Sequence, residues 1–146
     1  MDELRVAAKL DVLSSIGAFV LKAAETAGLD RRAAYRLRLA VDEMATNVIV
    51  HGQPLEHSGD DEIRVTADLD DDRLTITLED RGPAFNPLDH ETPEGHIDKP
   101  MEQRPIGGLG VFLAIRGVDS FSYERVNDRN RSTFIVRRGT TAENGR

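Results

Sequence analysis

The chain has 146 residues, of which 31% are charged and none is cysteine, so one globular domain is expected and thiol catalysis, disulfides and cysteine-ligated metal centres are excluded. The 26 acidic and 19 basic residues give a net charge of −7, which opposes direct binding to nucleic acid. The longest apolar stretch, residues 111–115, falls far below the roughly 18 residues of a membrane span, and no basic and apolar leader is present at the start. We therefore expect a cytoplasmic protein without a membrane anchor.

The first elements are predicted to be a strand and a helix. Imperfect alternation of apolar residues over residues 4–10 indicates the strand. Ser14 and Ser15 then offer N-caps for a run of apolar residues at helical spacing, and Gly28 is placed to end that helix.

A second helix carries a polar stripe. Asp30 can cap it, its apolar residues recur at spacings of three and four, and Gly52 closes it. Glu43, Asn47 and His51 are four residues apart, so they project from one side of this helix. A carboxylate there could accept a proton from an attacking hydroxyl, and an amide oxygen suits Mg²⁺, although a solvated helix face would show the same spacing.

A β-hairpin follows the second helix. Residues 63–69 and 74–78 alternate between apolar and polar side chains around the acidic segment 70–72, which is most simply a solvated turn. The second strand leads into Asp80 and Gly82. A carboxylate at a strand end could accept from an exocyclic amine, and a glycine there lets the backbone approach a planar ring; an ordinary turn is the alternative.

The remaining chain combines a long loop, a glycine cluster and a second hairpin. Residues 83–105 carry five prolines without apolar periodicity, which predicts a loop. The glycine-rich residues 107–110 open a short apolar helix, where free backbone N–H groups could hold phosphate. Strands are predicted over residues 118–126 and 132–137, around a turn at residues 127–130.

This order of elements predicts the fold class. Strand, helix, helix, hairpin, loop, helix and hairpin together indicate an α+β two-layer sandwich, in which helices cover one face of a mixed, mostly antiparallel sheet. We expect residues 1–138 to form this domain and residues 139–146 to be a flexible tail.

The three polar motifs, in this order and with a long loop before the third, resemble the GHKL ATPases. That superfamily is named for gyrase, the heat-shock chaperone, histidine kinases and mismatch-repair proteins, and its nucleotide-binding domain is the Bergerat fold. Within it, the chain is most similar to the stand-alone anti-sigma-factor serine/threonine kinases. The resemblance rests on residues 39–52 as the N box, residues 80–87 as the first G box and residues 107–113 as the second.

The resemblance implies ATP and Mg²⁺ as cofactors and assigns roles to individual residues. Glu43 would be the catalytic base, and Asn47 would be the Mg²⁺ ligand. Asp80 would bind the adenine amino group, with Gly82 beside the ring. The remaining implied nucleotide-binding residues wrap the phosphates or support adenine recognition: Gly107, Gly108, Leu109, Gly110 and Thr133.

The resemblance also implies a function. The chain would phosphorylate a serine or threonine on a STAS-domain anti-anti-sigma protein and would sequester a sigma factor. Family members of this kind are often homodimers. Alternatives are a module in which nucleotide only controls partner binding, a domain that phosphorylates histidine, and a switch kinase that regulates a phosphatase. Glu43 argues against the first alternative, and the length of the chain argues against the second.

The histidines carry less information. His90 and His96 lie among acidic residues of the proline-rich loop, where solvated side chains explain them more simply than a metal site. His51 could face phosphate or order a water, but a histidine near a helix C-terminus also interacts favourably with the helix dipole.

Overall fold

The computed structural model describes residues 2–51, 62–82 and 114–138. Within these ranges, a five-stranded sheet combines with two long helices. The elements are β1 (Asp2–Ala7), a 3₁₀ turn (Leu10–Val12), α1 (Leu13–Ala27), α2 (Arg31–His51), β2 (Glu62–Leu69), β3 (Arg73–Asp80), β4 (Ser120–Val126) and β5 (Arg129–Arg137). In this part of the chain, no helix is long and apolar enough to cross a membrane.

The sheet has the strand order β1-β2-β3-β5-β4, and its four pairings are antiparallel. Apolar side chains alternate along the strands, so one face of the sheet packs against the two helices. The core includes Ile76 and Phe134 from the central strands and Ile16 and Val41 from the helices. The predicted α+β class, with helices on one face of a mostly antiparallel sheet, is confirmed.

The helix ends confirm two predictions and correct one. The carboxylate of Asp30 caps α2 by accepting from the backbone N–H of Ala33 at 2.7 Å, and Gly28 ends α1 with a left-handed φ of 77°. The prediction that Ser14 and Ser15 cap α1 is wrong. The N-cap is Val12 and makes no side-chain capping bond, because the 3₁₀ turn runs directly into the helix and both serines lie inside it.

The second hairpin has a shorter turn than predicted. Asn127 and Asp128 have φ values of 51° and 65°, and Val126 pairs directly with Arg129. Positive φ at both central residues is typical of a two-residue type I′ turn. The predicted turn over residues 127–130 is therefore too long, and Asn130 belongs to β5.

The first strand is also shifted, since β1 begins at Asp2 and ends at Ala7, where the N–H of Lys9 turns back to the Ala7 carbonyl. Ala114 and Ile115 are helical and buried, as predicted for the helix before β4. The proline-rich loop, the glycine cluster and the tail at residues 139–146 lie outside the described residues.

Candidate functional site

Four polar side chains are buried among the described residues, and three of them lie on β3 and β5. These three are Asp80, Asn130 and Ser132, and the fourth is Asn47 on α2, which is only 6% exposed. Buried polar groups need partners, since desolvation without a hydrogen bond costs about 1–3 kcal/mol. The buried polar side chains on β3 and β5 are therefore the starting point for the candidate site.

Asp80 is the last residue of β3 and is 5% exposed. Its Oδ1 accepts from the N–H of Gly82 at 2.8 Å and from Nδ2 of Asn130 at 3.0 Å. Both hydrogen bonds that described residues make to this carboxylate go to Oδ1, which leaves Oδ2 for a ligand. The prediction that the second strand of the first hairpin leads into Asp80 is confirmed.

Burial raises the pKa of Asp80 above its ordinary value. The hydrogen bonds from Asn130 and Gly82 and the positive charge of Arg125 oppose this rise. The site therefore holds a carboxylate in a place that favours its neutral form, and these three neighbours counter the cost of the charge.

Three residues of the second hairpin were missed by sequence reasoning. Asn130 lies opposite Asp80 in the β3–β5 pairing, and opposite Arg125 in the β4–β5 pairing. A guanidinium nitrogen of Arg125 donates to the carbonyl oxygen of Gly82 at 2.8 Å and to Oδ1 of Asn130 at 3.1 Å, and the hydroxyl of Tyr123 also donates to Oδ1. The Asn127-Asp128 turn could have revealed that Asn130 is a strand residue, but not that it meets Asp80.

Thr133 is not brought to Asp80. It pairs with Thr77, and both lie on the face of the sheet that is turned away from the helices. Because side chains alternate along a strand, Ser132 instead shares the face of Asp80, and it is 3% exposed opposite Leu78. The assignment of adenine support to Thr133 does not fit this geometry.

At the opposite end of the sheet, residues that flank β4 and β5 lie near the start of α2. Nε of Arg138, just after β5, donates to the carbonyl oxygen of Ala27 at 2.9 Å, and α2 begins four residues after Ala27. A Cβ at Gly117, before β4, would lie 3.4 Å from the side chain of Arg36 in the first half of α2. α2 packs on β3 and β5, and its 21 residues are about 31 Å long. Among the described residues, the hydrogen bonds to Asp80 come from Gly82 and Asn130 and not from Glu43 or Asn47.

The donor set fits an adenine nucleotide with Mg²⁺. Oδ2 of Asp80 can accept from an exocyclic amine, and Asn47 offers an amide oxygen from the stripe that also carries the half-buried Glu43. Across the described ranges, no group of three or more His, Cys, Asp or Glu side chains could hold a metal. A single amide ligand is consistent with Mg²⁺, which usually keeps several waters and binds through few protein ligands together with phosphates.

Comparison with known proteins gives matches over most of the chain. The chain is 29% identical over 113 residues to the Serine-protein kinase RsbW of Oceanobacillus iheyensis, and the match covers 76% of this chain and 70% of that relative. It is 30% identical to the protein of the same name from Bacillus mycoides, covering 76% and 69% of the two chains. The names of both relatives agree with the kinase family that the three motifs resemble.

Solved structures share the fold at low sequence identity. The structure of the RsbU and RsbW domains of a Mycobacterium tuberculosis protein aligns with a TM-score of 0.61 and 16% identity. The alignment covers 94% of this chain and 32% of that longer chain. The histidine kinase domain of a blue-light activated kinase from Erythrobacter litoralis aligns with a TM-score of 0.52 and 16% identity, covering 87% of this chain and 61% of that chain. The profile of the histidine kinase-like ATPase domain matches residues 6–136, and the chain therefore belongs to this family.

Proposed function

We propose that the chain is a protein kinase that transfers the γ-phosphoryl group of ATP to a serine or threonine on a partner protein. The observation that carries this proposal is the buried carboxylate of Asp80, with Oδ1 held by two donors and Oδ2 left for an adenine amine. Membership of the histidine kinase-like ATPase family and relatives named serine-protein kinases support the same reading.

Nucleotide selection is assigned to Asp80. Its carboxylate accepts from the exocyclic amine of adenine, whereas guanine carries a keto oxygen at the corresponding position and would place an acceptor against an acceptor. Gly82 has no side chain, so its backbone can approach the ring closely. We therefore assign ATP rather than GTP as the phosphoryl donor.

Phosphoryl transfer is assigned to the polar stripe of α2. Glu43 accepts the proton of the serine or threonine hydroxyl while the hydroxyl oxygen bonds to the γ-phosphorus. The bond between the γ-phosphorus and the oxygen that bridges to the β-phosphate breaks, and ADP is released. Asn47 would hold Mg²⁺, which when bound neutralises phosphate charge. The backbone of Gly107, Gly108, Leu109 and Gly110 would hold the phosphates; these four residues lie outside the described ranges, so their role remains a prediction from the motif.

The partners are proposed on the strength of the resemblance and of the relatives' names. The acceptor would be a STAS-domain anti-anti-sigma protein, and a sigma factor would be held inactive until that acceptor competes for the kinase. The setting would be the cytoplasm, and a homodimer would fit the family. A partner-switching module without phosphotransfer, or a switch kinase acting on a phosphatase pathway, would give different outcomes in the experiment below.

The test begins with capture of partners by the immobilised full chain, with and without ATP and Mg²⁺, and their identification by mass spectrometry. Each captured protein is then incubated with the kinase and γ-labelled ATP. We expect an acid-stable phosphoserine or phosphothreonine on a STAS-domain protein. An acid-labile product would indicate phosphohistidine, and nucleotide-dependent capture without any phosphoprotein would replace the kinase with a binding module.

The same assay tests the role of Glu43. Glu43→Ala should lower phosphotransfer by about 10²–10⁴-fold while ATP binding stays nearly normal, because a base acts in the chemical step. Glu25→Ala, which removes the same side chain from an exposed position on α1, is the matched control and should retain activity. Equal loss of binding and rate in Glu43→Ala would assign this residue to structure or to the metal.

A further inference from the structure

A chain of hydrogen bonds leads from the second hairpin to Asp80. Oδ1 of Asn130 accepts from Arg125 at 3.1 Å and from the hydroxyl of Tyr123. Nδ2 of Asn130 donates to Oδ1 of Asp80 at 3.0 Å and approaches the carbonyl oxygen of Gly82 at 3.4 Å. Asn130 thus contacts the nucleotide-binding residues on one side and two donors on the other.

These neighbours define which way the amide of Asn130 faces. A guanidinium group has only donors, so Arg125 requires the amide oxygen of Asn130 on its side. A backbone carbonyl only accepts, so Gly82 requires the NH₂ group on the other side. The flipped amide would place oxygen against oxygen at Asp80 and donor against donor at Arg125.

The amide orientation has a consequence for Asp80. Its Oδ1 faces two N–H donors, from Asn130 and Gly82, and must act as an acceptor for both. A proton on this carboxyl group would therefore occupy Oδ2, the oxygen left for the ligand, and would convert it from an acceptor into a donor. Burial favours that proton, whereas Asn130, Gly82 and Arg125 favour the carboxylate.

We propose that Asn130, oriented by Arg125, is a positioning residue that keeps Oδ2 of Asp80 an acceptor and thereby selects adenine over guanine nucleotides. The inference rests on the proposed function, since it places adenine at Asp80. It extends that function by assigning base selectivity to the second hairpin, which the sequence motifs do not include.

The first experiment compares the dissociation constants of ADP and GDP, each with Mg²⁺, for the full chain and for Asn130→Leu. Leucine has a similar shape and excludes water but cannot donate. We expect ADP binding to weaken by about 10- to 100-fold while GDP binding is unchanged or tighter, because a protonated Oδ2 can donate to the keto oxygen of guanine. The matched control is Asn127→Gly, which removes the same side chain from the turn at a φ of 51° and should bind like the wild type.

A second variant covers the case in which Asn130→Leu does not fold, as judged by circular dichroism and thermal unfolding. Arg125 is an exposed residue, so Arg125→Ala should keep the fold. The substitution removes the donor that orients the amide of Asn130. We expect ADP binding to weaken by about 3- to 10-fold, and the ratio of the GDP to the ADP dissociation constant to fall. Arg137→Ala, at the other end of β5, removes the same charge and should leave both affinities unchanged.

The readout separates positioning from a general structural role. Parallel loss of ADP and GDP affinity in the folded variants, or an unchanged preference for ADP, would overturn the proposal while leaving ATP binding by the chain in place. If the wild-type chain binds neither nucleotide, the proposed function fails and the inference fails with it.

Discussion

Glu79 and Asp80 are neighbours in the chain, yet their carboxylates lie on opposite faces of β3 and their pKa values are displaced in opposite directions. Asp80 faces the helices, and burial raises its pKa. Glu79 is on the outer face, where burial also raises its pKa but is outweighed by the hydrogen bond from Arg131, the charges of Arg64 and Arg131, and the hydrogen bond from Arg129, so that its pKa is lowered. One carboxylate is stabilised by the fold, and the other is held by it at a cost.

Replacing Asp80 should weaken ATP binding. Asp80→Asn keeps the size of the side chain but removes its charge, and loss of a charged hydrogen bond corresponds to about 1.5–3 kcal/mol, or roughly 10- to 150-fold in affinity. Titration calorimetry with Asp72→Asn as the control measures this loss, since Asp72 is exposed near the start of the same strand. Unchanged ATP affinity in Asp80→Asn would remove Asp80 from the nucleotide site.

The same substitution should stabilise the ligand-free protein at neutral pH. Because the pKa of Asp80 is raised on folding, the folded state binds the proton more tightly, and stability is lost as pH rises from the ordinary pKa through the raised one. Asparagine does not titrate. The difference in Tm between Asp80→Asn and wild type should therefore be larger at about pH 7 than at about pH 4; an equal difference at both pH values would contradict the buried charge as its cause.

Glu79 should show the opposite pH dependence. Its pKa is lowered on folding, so its contribution to stability is present above its ordinary pKa and is lost as pH falls through the lowered one. Glu79→Gln should lower the free energy of unfolding at neutral pH by about 1–3 kcal/mol, measured by urea denaturation, without changing ATP affinity.

Glu124 provides the control for Glu79. Its side chain is 58% exposed and pairs with Arg131 alone among the described residues, so Glu124→Gln should change stability by less than about 1 kcal/mol. Equal effects of the two substitutions would show that the arginines around Glu79 add no more than an exposed pair does.

Replacing Asn47 should affect the metal rather than the base. Asn47→Ala should weaken ATP binding in the presence of Mg²⁺ by at least about tenfold, because a metal ligand is lost, with little change when Mg²⁺ is removed by chelation. Asn47→Asp keeps an oxygen ligand and should retain the Mg²⁺ dependence. Equal weakening of ATP binding by Asn47→Ala with and without Mg²⁺ would assign this residue to packing or to direct nucleotide contact.

Local periodicity determined much of this protein. Spacings of three and four predicted α2 and its polar stripe with Glu43 and Asn47, and strict alternation predicted the β2–β3 hairpin that ends at Asp80. These predictions succeeded because side-chain direction within one helix or strand follows from spacing alone. The three motifs in order were also sufficient to indicate the histidine kinase-like ATPase family.

Only the tertiary structure decided which residues surround Asp80. Asn130 is 50 residues away in the chain and meets Asp80 because β5 pairs with β3, a register that no local pattern specifies. Because the hairpin turn has only two residues, β5 begins at Arg129, and the alternation of side chains along β5 places Ser132 on the inner face and Thr133 on the outer face. A one-residue shift in the register of a strand moves each of its side chains to the other face of the sheet. The residues around Asp80 therefore depended on the turn length and the strand pairing, and the sequence pattern did not specify either.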